Sequence, residues 1–115
     1  MIPFSAAAYP SRLRAIADPP PLLYVRGEIG SDNDRAVAIV GSRSASEYGR
    51  RVARDLARGL VSFGFTVISG MARGIDGTAH ESAIRAGGRT VAVLGCGVDR
   101  AYPPEHETLY RRISE

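Results

Sequence analysis

Three short apolar runs, each followed by a glycine-containing loop and a helix, constrain the fold of this chain more than any other feature. The runs cover residues 36–40, 65–68 and 90–94, and apolar residues recur at helical spacing in 47–63 and 77–86. Short helices between buried strands imply right-handed crossovers and a parallel sheet. We therefore predict an α/β, three-layer Rossmann-like fold with helices on both faces of a parallel sheet.

The helix boundaries follow from glycine and proline. Gly64 should end the first of these helices, because glycine readily adopts the left-handed conformation after the last turn. Pro103-Pro104 should open the last helix and direct Leu109 and Ile113 inward. No strand follows that helix, so the sequence predicts an incomplete, truncated domain. The inward stripe of the first helix should consist of residues spaced by four, four and three positions: Val52, Leu56, Leu60 and Phe63.

The segment before the first apolar run is predicted to be a separate extension. Residues 1–35 would form this N-terminal extension and 36–115 a Rossmann-like half domain. Ser11 is a candidate N-cap of a short helix, which the following prolines should end. Residues 22–25 are a strand candidate, and 31–35 should form a polar turn.

The composition indicates a soluble domain with a mild basic excess. The chain has 115 residues, and its 15 basic residues, all arginine, exceed its 12 acidic residues to give a net charge of +3. This excess is compatible with a polyanionic partner. A single cysteine, Cys96, excludes an intrachain disulfide and fits a reducing compartment. Because no convincing signal peptide and no run of about 18 apolar residues occur, we expect a cytoplasmic protein without a membrane partner.

Three glycine-containing loops follow the predicted strands, and ligands of open α/β sheets bind at these strand ends. The loops cover residues 41–46, 69–76 and 95–104. The sequence contains neither a G-x-x-x-x-G-K-[ST] loop nor a G-x-G-x-x-G fingerprint. Ser69-Gly70 also follows the second strand, where an NAD site needs an acidic residue. These absences disfavour a P-loop protein and an NAD enzyme, and no cofactor is predicted.

The first loop has the composition of an anion cradle. Gly41 lacks a side chain, and Arg43 can make a bidentate phosphate contact. Three serines offer hydroxyl groups: Ser42, Ser44 and Ser46. The helix that follows would add free N–H groups. In the alternative, Ser46 only caps this helix and Arg43 is solvated. Glu47 slightly favours the alternative, because its carboxylate already complements the helix dipole.

The second loop combines glycines with three functional side chains. Arg73 lies between Gly70 and Gly74, and Asp76 and His80 follow on one helix face. The last two could form an acid–base pair or half of a metal site. We favour the alternative, in which Asp76 caps the helix and His80 packs against it. No further metal-ligand spacing and no G-x-S-x-G elbow occur, so neither a metal nor a catalytic residue is predicted.

The third loop contributes a thiol and an aromatic ring. Cys96 lies between two glycines and is interpreted as a small turn residue, because no partner base accompanies it. Tyr102 could stack on a base or belong to the core. Tyr48 is a second candidate for stacking.

Four segments together closely resemble the DNA-processing protein A family, which is also called DprA or Smf. They are "YPSRLRAIADPPPLLYVRG", "VAIVGSRSASEYG", "SGMARGIDGTAHESAI" and "TVAVLGCGVDRAYPPEH", and they span residues 9–113. The resemblance implies an extended Rossmann fold that binds single-stranded DNA during natural transformation and hands it to a RecA-type recombinase. It implies binding without catalysis. Family members continue beyond the matching part, which is where the resemblance places homodimer and recombinase contacts.

The resemblance also implies a basic DNA pocket at the sheet edge. Its G-S-R motif and its S-G-x-A-x-G-I-D-x-x-A-H motif both occur here. Two alternatives share the fold type: a phosphoribohydrolase-like enzyme, whose P-G-G-x-G-T-x-x-E signature is missing, and a sensor of small nucleotides. The predicted DNA-binding residues are Gly41, Ser42, Arg43, Ser46, Ser69, Gly70, Arg73, Gly74, Asp76, His80 and Tyr102.

Overall fold

A short helix between two small strands opens the chain. A computed structural model describes residues 1–29 and 35–115, so most of the turn predicted at 31–35 lies outside the described residues. Helix α1 covers Ser11–Arg14, and Pro10 holds its capping position without a side-chain hydrogen bond. The predicted cap at Ser11 is therefore wrong, because this serine is already the first helical residue. The two strands pair antiparallel: β1 (Ile2–Pro3) and β2 (Leu22–Leu23).

A parallel sheet of three strands forms the centre of the fold. The elements follow one another as β3 (Ala36–Ala38), α2 (Glu47–Ser62), β4 (Thr66–Ser69), α3 (Ile75–Arg85), β5 (Thr90–Ala92), a 3₁₀ turn (Pro104–His106) and α4 (Glu107–Ser114). The spatial order is β3-β4-β5, with Val37, Val67 and Thr90 side by side in the register. This parallel sheet with flanking helices confirms the predicted fold class.

The helices pack on one face of this sheet. One core cluster joins β3 and β4 to α2 and α3, and its fully buried members include Ala57, Val67 and Ala79. A second cluster places α4 against α3 and β5. On the opposite side of the strands, Val40 is 73% exposed and Val93 is 65% exposed. The described helices therefore leave that face open, and the described residues supply the sheet and one of the two predicted helical layers.

The one-sided arrangement follows from the strand order. β3, β4 and β5 are neighbours in the same order in space and in sequence. When successive strands are added to a sheet in one direction, all of the right-handed crossovers place their helices on the same side of that sheet. Helices reach the second face only where the strand order reverses, and no such reversal occurs among β3, β4 and β5.

The inward face of α2 is also different from the prediction. Ala53 and Ala57 are the buried residues of this helix, and Leu60 packs partly against the core. Small side chains let α2 lie close to α3, so that larger apolar residues remain outside. Gly64 follows α2 with a φ of 82°, as predicted. Of the predicted inward stripe, three residues are exposed by 37%, 53% and 75%: Val52, Leu56 and Phe63.

The end of the N-terminal segment is attached to the last helix. The guanidinium carbon of Arg26 lies 5.4 Å from the ring centroid of Tyr110 in α4. Nearby, Arg89 Nη2 donates a hydrogen bond of 3.1 Å to the Glu28 carbonyl. These contacts place the segment beside β5 and α4, at the opposite end of the sheet strands from the three loops.

Candidate nucleic-acid interface

The first two loops are joined to each other at the carboxyl ends of β3 and β4. The Ile75 N–H donates a hydrogen bond of 3.1 Å to the Ser42 carbonyl. Gly74 has a φ of 80°, and a Cβ there would collide with the same carbonyl. A Cβ on Gly41 would lie 2.7 Å from Ile75 Cγ1. Gly41 and Gly74 therefore serve the close packing of one loop on the other.

The serines of the first loop use their hydroxyl groups inside the loop. The Ser44 N–H donates to Ser42 Oγ at 3.0 Å, and the Gly49 N–H donates to Ser46 Oγ at 3.0 Å. Ser46 is thus the N-cap of α2, as the alternative interpretation proposed. Two of the amides expected to cradle an anion are already engaged, so the loop presents chiefly the side chain of Arg43.

Two predicted site residues of the second loop are buried. Ser69 is 3% exposed and donates its hydroxyl hydrogen bond to the Ile39 carbonyl. Asp76 is 6% exposed, and its Oδ2 accepts the Gly70 N–H at 3.0 Å. The predicted cap at Asp76 is wrong, because Gly74 precedes the helix and Asp76 is its second residue. Ser69 and Asp76 use their side chains to shape the loop, and their role in DNA binding stays a prediction.

His80 is fully buried beneath the second loop. The Met71 N–H donates to His80 Nε2 at 3.2 Å, so Nε2 accepts and Nδ1 carries the proton that faces Thr90 Oγ1 at 2.6 Å. Thr90 Oγ1 in turn donates to the Val67 carbonyl. Burial lowers the pKa of His80 to about 4, which keeps the ring neutral. The interpretation of His80 as a packing residue is confirmed, and its role in DNA binding stays a prediction.

The buried histidine fixes the backbone that presents Arg73. Met71 is 1% exposed and has a φ of 64°, a left-handed conformation that costs a non-glycine residue free energy. Its amide is held by His80, and its carbonyl lies 2.9 Å from His106 Nδ1. Two histidines thus hold Met71 in place, and Arg73 follows two residues later at the protein surface.

The three loops each contribute one arginine to a single cavity. Arg43 from the first loop, Arg73 from the second and Arg100 from the third line a cavity of about 420 Å³. We call this cavity the arginine pocket. Tyr102, which is 52% exposed, also lines it, as does Cys96. The predicted convergence of Arg43 and Arg73 is present, and the predicted stacking ring lies at the same place.

Arg100 was not predicted as a site residue. It lies in the third loop, and the signal that could have found it was the repetition of one arginine in each of the three strand-end loops. Tyr48 is 73% exposed at the start of α2 and is not among the residues that line the arginine pocket. Its stacking role stays a prediction.

The three arginines differ in their partners. Arg73 Nε lies 2.6 Å from Glu105 Oε2, and Arg73 Nη2 lies 3.0 Å from Glu105 Oε1. This bidentate pair lowers the pKa of Glu105 to about 2 and raises that of Arg73. Within residues 1–29 and 35–115, neither Arg43 nor Arg100 makes an ion pair. The pocket therefore holds two open guanidinium groups and one that is already paired.

The described part of the chain offers no alternative metal centre. Across residues 1–29 and 35–115, no three His, Cys, Asp or Glu side chains form a group that could hold a metal ion. None of the helices described there has the length and apolar character needed to cross a membrane.

The fold and the pocket define a Rossmann-like α/β protein with a basic site at the carboxyl edge of its parallel sheet. The sequence model of the family described as DNA recombination-mediator protein A matches residues 1–115. The chain belongs to this family, which confirms the resemblance found in its motifs.

Curated relatives match nearly all of this chain but are much longer. Protein Smf of Synechocystis is 43% identical over 110 residues, which are 92% of this chain and 28% of that protein. Protein Smf of Escherichia coli is 40% identical over 115 residues, which are 100% of this chain and 31% of that protein. The chain thus spans about a third of the length of these relatives.

Solved structures share the fold. The X-ray structure of DNA processing protein A from Streptococcus pneumoniae matches with a TM-score of 0.87 at 34% identity, over 98% of this chain and 40% of that chain. The DNA processing protein A from Helicobacter pylori, whose structure addresses its single-stranded DNA binding mode, matches with a TM-score of 0.81 at 30% identity. This second match covers 93% of this chain and 49% of that one.

Proposed function

We propose that the chain binds single-stranded DNA in the arginine pocket and does so without cleaving it. The observation that supports this most is the convergence of Arg43, Arg73 and Arg100 from three separate loops on one cavity. Guanidinium groups make charge-assisted hydrogen bonds to phosphate oxygens, and their planar fork suits bidentate contacts. Since neither Arg43 nor Arg100 makes an ion pair with another described residue, both are ready to receive the DNA backbone.

The pocket also suits the nucleotide that follows a bound phosphate. Tyr102 lies at the wall of the pocket with about half of its surface exposed. Proteins that bind single strands without sequence preference combine a basic groove with rings on which bases stack. We assign the phosphates to Arg43 and Arg100 and a base to Tyr102, with the glycines and serines of the first two loops as their support.

The cellular role rests on the family. We propose that the longer protein protects incoming strands in the cytoplasm during natural transformation and loads a RecA-type recombinase onto them. A homodimer of the longer protein belongs to the same proposal. The Helicobacter pylori relative, whose structure addresses binding of single-stranded DNA, supports the binding step.

Two alternatives are a phosphoribohydrolase-like enzyme and a sensor of small nucleotides. The positions of the carboxylates bear on the first, and the size of the bound ligand bears on the second. Asp76 is buried on the Gly70 amide, and Glu105 is paired with Arg73, so neither is placed as the acid or nucleophile that a phosphoribohydrolase needs. A sensor of small nucleotides would use the same cavity, whose volume of about 420 Å³ suits one nucleotide. Titration with thymidine monophosphate beside oligo-dT separates this alternative from strand binding.

Arg43→Ala tests the proposal. Loss of one phosphate contact should lower the slope of log K against log[salt] by about 0.7 and weaken binding about fivefold at 0.1 M salt. Fluorescence anisotropy of labelled oligo-dT and oligo-dA at several salt concentrations measures both quantities. Arg58→Ala is the matched control, because Arg58 is exposed on α2 and its contact with Asp55 is a weak 3.9 Å pair. Equal effects of the two substitutions would refute the arginine pocket as the DNA site.

A further inference from the structure

Glu105 occupies the edge of Arg73 that a phosphate group would use. Both oxygens of the carboxylate face the Nε and Nη2 groups of the guanidinium, at 2.6 and 3.0 Å. Carboxylate and phosphate are the two anions that arginine binds in this bidentate way. With Glu105 in this position, Arg73 cannot offer the same pair of donors to a DNA phosphate.

The fold brings these two residues together, although 32 positions separate them in the sequence. Glu105 belongs to the 3₁₀ turn, and the next residue, His106, places its Nδ1 2.9 Å from the Met71 carbonyl. A Cβ on Gly77 would lie 2.7 Å from His106 Cε1, so the imidazole ring lies directly against α3. The turn is therefore held beside the segment that presents Arg73.

We propose that Glu105 is an internal counter-anion of Arg73, and that a DNA phosphate displaces Glu105 from this arginine when the strand binds. This inference rests on the proposed function. Arg43 and Arg100 make the first contacts, because they are unpaired among the described residues. Arg73 contacts a phosphate when Glu105 turns out to solvent, and this exchange sets the affinity of the pocket for DNA.

The exposure of the pair makes such an exchange feasible. The side chains of Arg73 and Glu105 are 50% and 55% exposed, and exposed ion pairs contribute little net stability. A released carboxylate is rehydrated at once at such a position. Arg73 lowers the pKa of Glu105, so the carboxylate is charged at neutral pH and an incoming phosphate competes with it for the guanidinium.

Binding of labelled oligo-dT to Glu105→Gln tests the inference. Fluorescence anisotropy at several salt concentrations, from roughly 0.05 to 0.3 M, gives the affinity and the salt slope. With Arg73 free, the strand gains one phosphate contact. The salt slope should steepen by about 0.7, and affinity should rise about fivefold at 0.1 M salt. The matched control is Glu107→Gln, which removes the same charge from a neighbouring exposed pair with Arg111 at 2.9 Å. This control should leave the slope unchanged.

Arg73→Ala/Glu105→Gln shows whether the gain passes through Arg73. The double variant should lose the gain of Glu105→Gln. A gain in affinity that persists in the double variant overturns the inference and leaves the proposed function standing. The same holds if the wild type binds and Glu105→Gln and Glu107→Gln have equal effects. If neither the wild type nor Glu105→Gln binds oligo-dT, both proposals fall. Binding by Glu105→Gln alone overturns the inference, because the strand then fails to displace Glu105 from Arg73.

Discussion

Acidification should destabilise this protein through one buried imidazole ring, that of His80. The ring is inaccessible to solvent, and its Nε2 accepts the Met71 N–H. Protonation of Nε2 would replace this hydrogen bond by a repulsion between two N–H groups. The neighbouring charges act in opposite directions, because Asp76 favours the protonated ring and His106 disfavours it, and burial outweighs both.

The magnitude follows from the two pKa values of this ring. In the unfolded chain the imidazole has its ordinary pKa of 6.5, and the fold lowers this pKa to about 4. Between these values the unfolded chain binds a proton that the folded chain does not, so stability falls as the pH falls. With roughly 1.4 kcal/mol for each pKa unit, the loss from pH 6.5 to pH 4 is about 3 kcal/mol. The stability that the neutral His80 ring contributes is fully present above about pH 6.5. Its loss is complete below about pH 4, where the stability no longer changes through this ring.

Urea unfolding measures the free energy of unfolding directly. Measurements at steps of about half a pH unit, from about pH 7.5 to about pH 4, cover the interval in which protonation of His80 changes this free energy. His80→Gln is the comparison variant, because its side-chain oxygen can accept the Met71 N–H and does not titrate. Carboxylates distant from the ring contribute equally to both proteins, so the difference between the two curves reports His80 together with its coupling to Asp76 and His106. The reasoning is refuted if wild type and His80→Gln lose stability in parallel across this interval.

Two further predictions concern packing. Gly74→Ala should destabilise the fold by about 1–3 kcal/mol and weaken oligo-dT binding, because φ is 80° and the new Cβ meets the Ser42 carbonyl; unchanged urea unfolding would contradict the loop contact. Val67→Ala, at a fully buried position, should cost about 2 kcal/mol. Val93→Ala, at a position 65% exposed, should change stability by less than about 0.5 kcal/mol. Equal losses of stability for Val67→Ala and Val93→Ala in thermal unfolding would show that both sheet faces are covered.

The order of elements and the position of the site could be predicted from short stretches of sequence. Apolar runs predict the strands, and the glycine at 64 ends α2 with the φ of 82° that favours this residue. Since carboxyl ends of parallel strands share one edge, loops that follow the strands must meet there. For this reason the sequence predicts that Arg43 and Arg73 lie in one pocket.

The inward face of α2 could not be predicted in the same way. Leu56 and Ala57 are both apolar, and spacing alone favours the larger side chain as the core residue. In the structure Ala57 is fully buried and Leu56 is 53% exposed, because close contact with α3 requires a small side chain. Helix periodicity identifies apolar faces, but the neighbouring element decides which of them is buried.

Sequence alone determined the class of fold, the edge at which the loops meet and two of the three arginines, because these depend on local conformation and on the rule of parallel strands. Tertiary structure decided that His80 is a buried support, that Arg100 completes the pocket and that Glu105 pairs with Arg73. The physical reason is that hydrogen bonds and ion pairs act over a few ångströms. Their partners are chosen by packing between segments far apart in the chain, which no local pattern records.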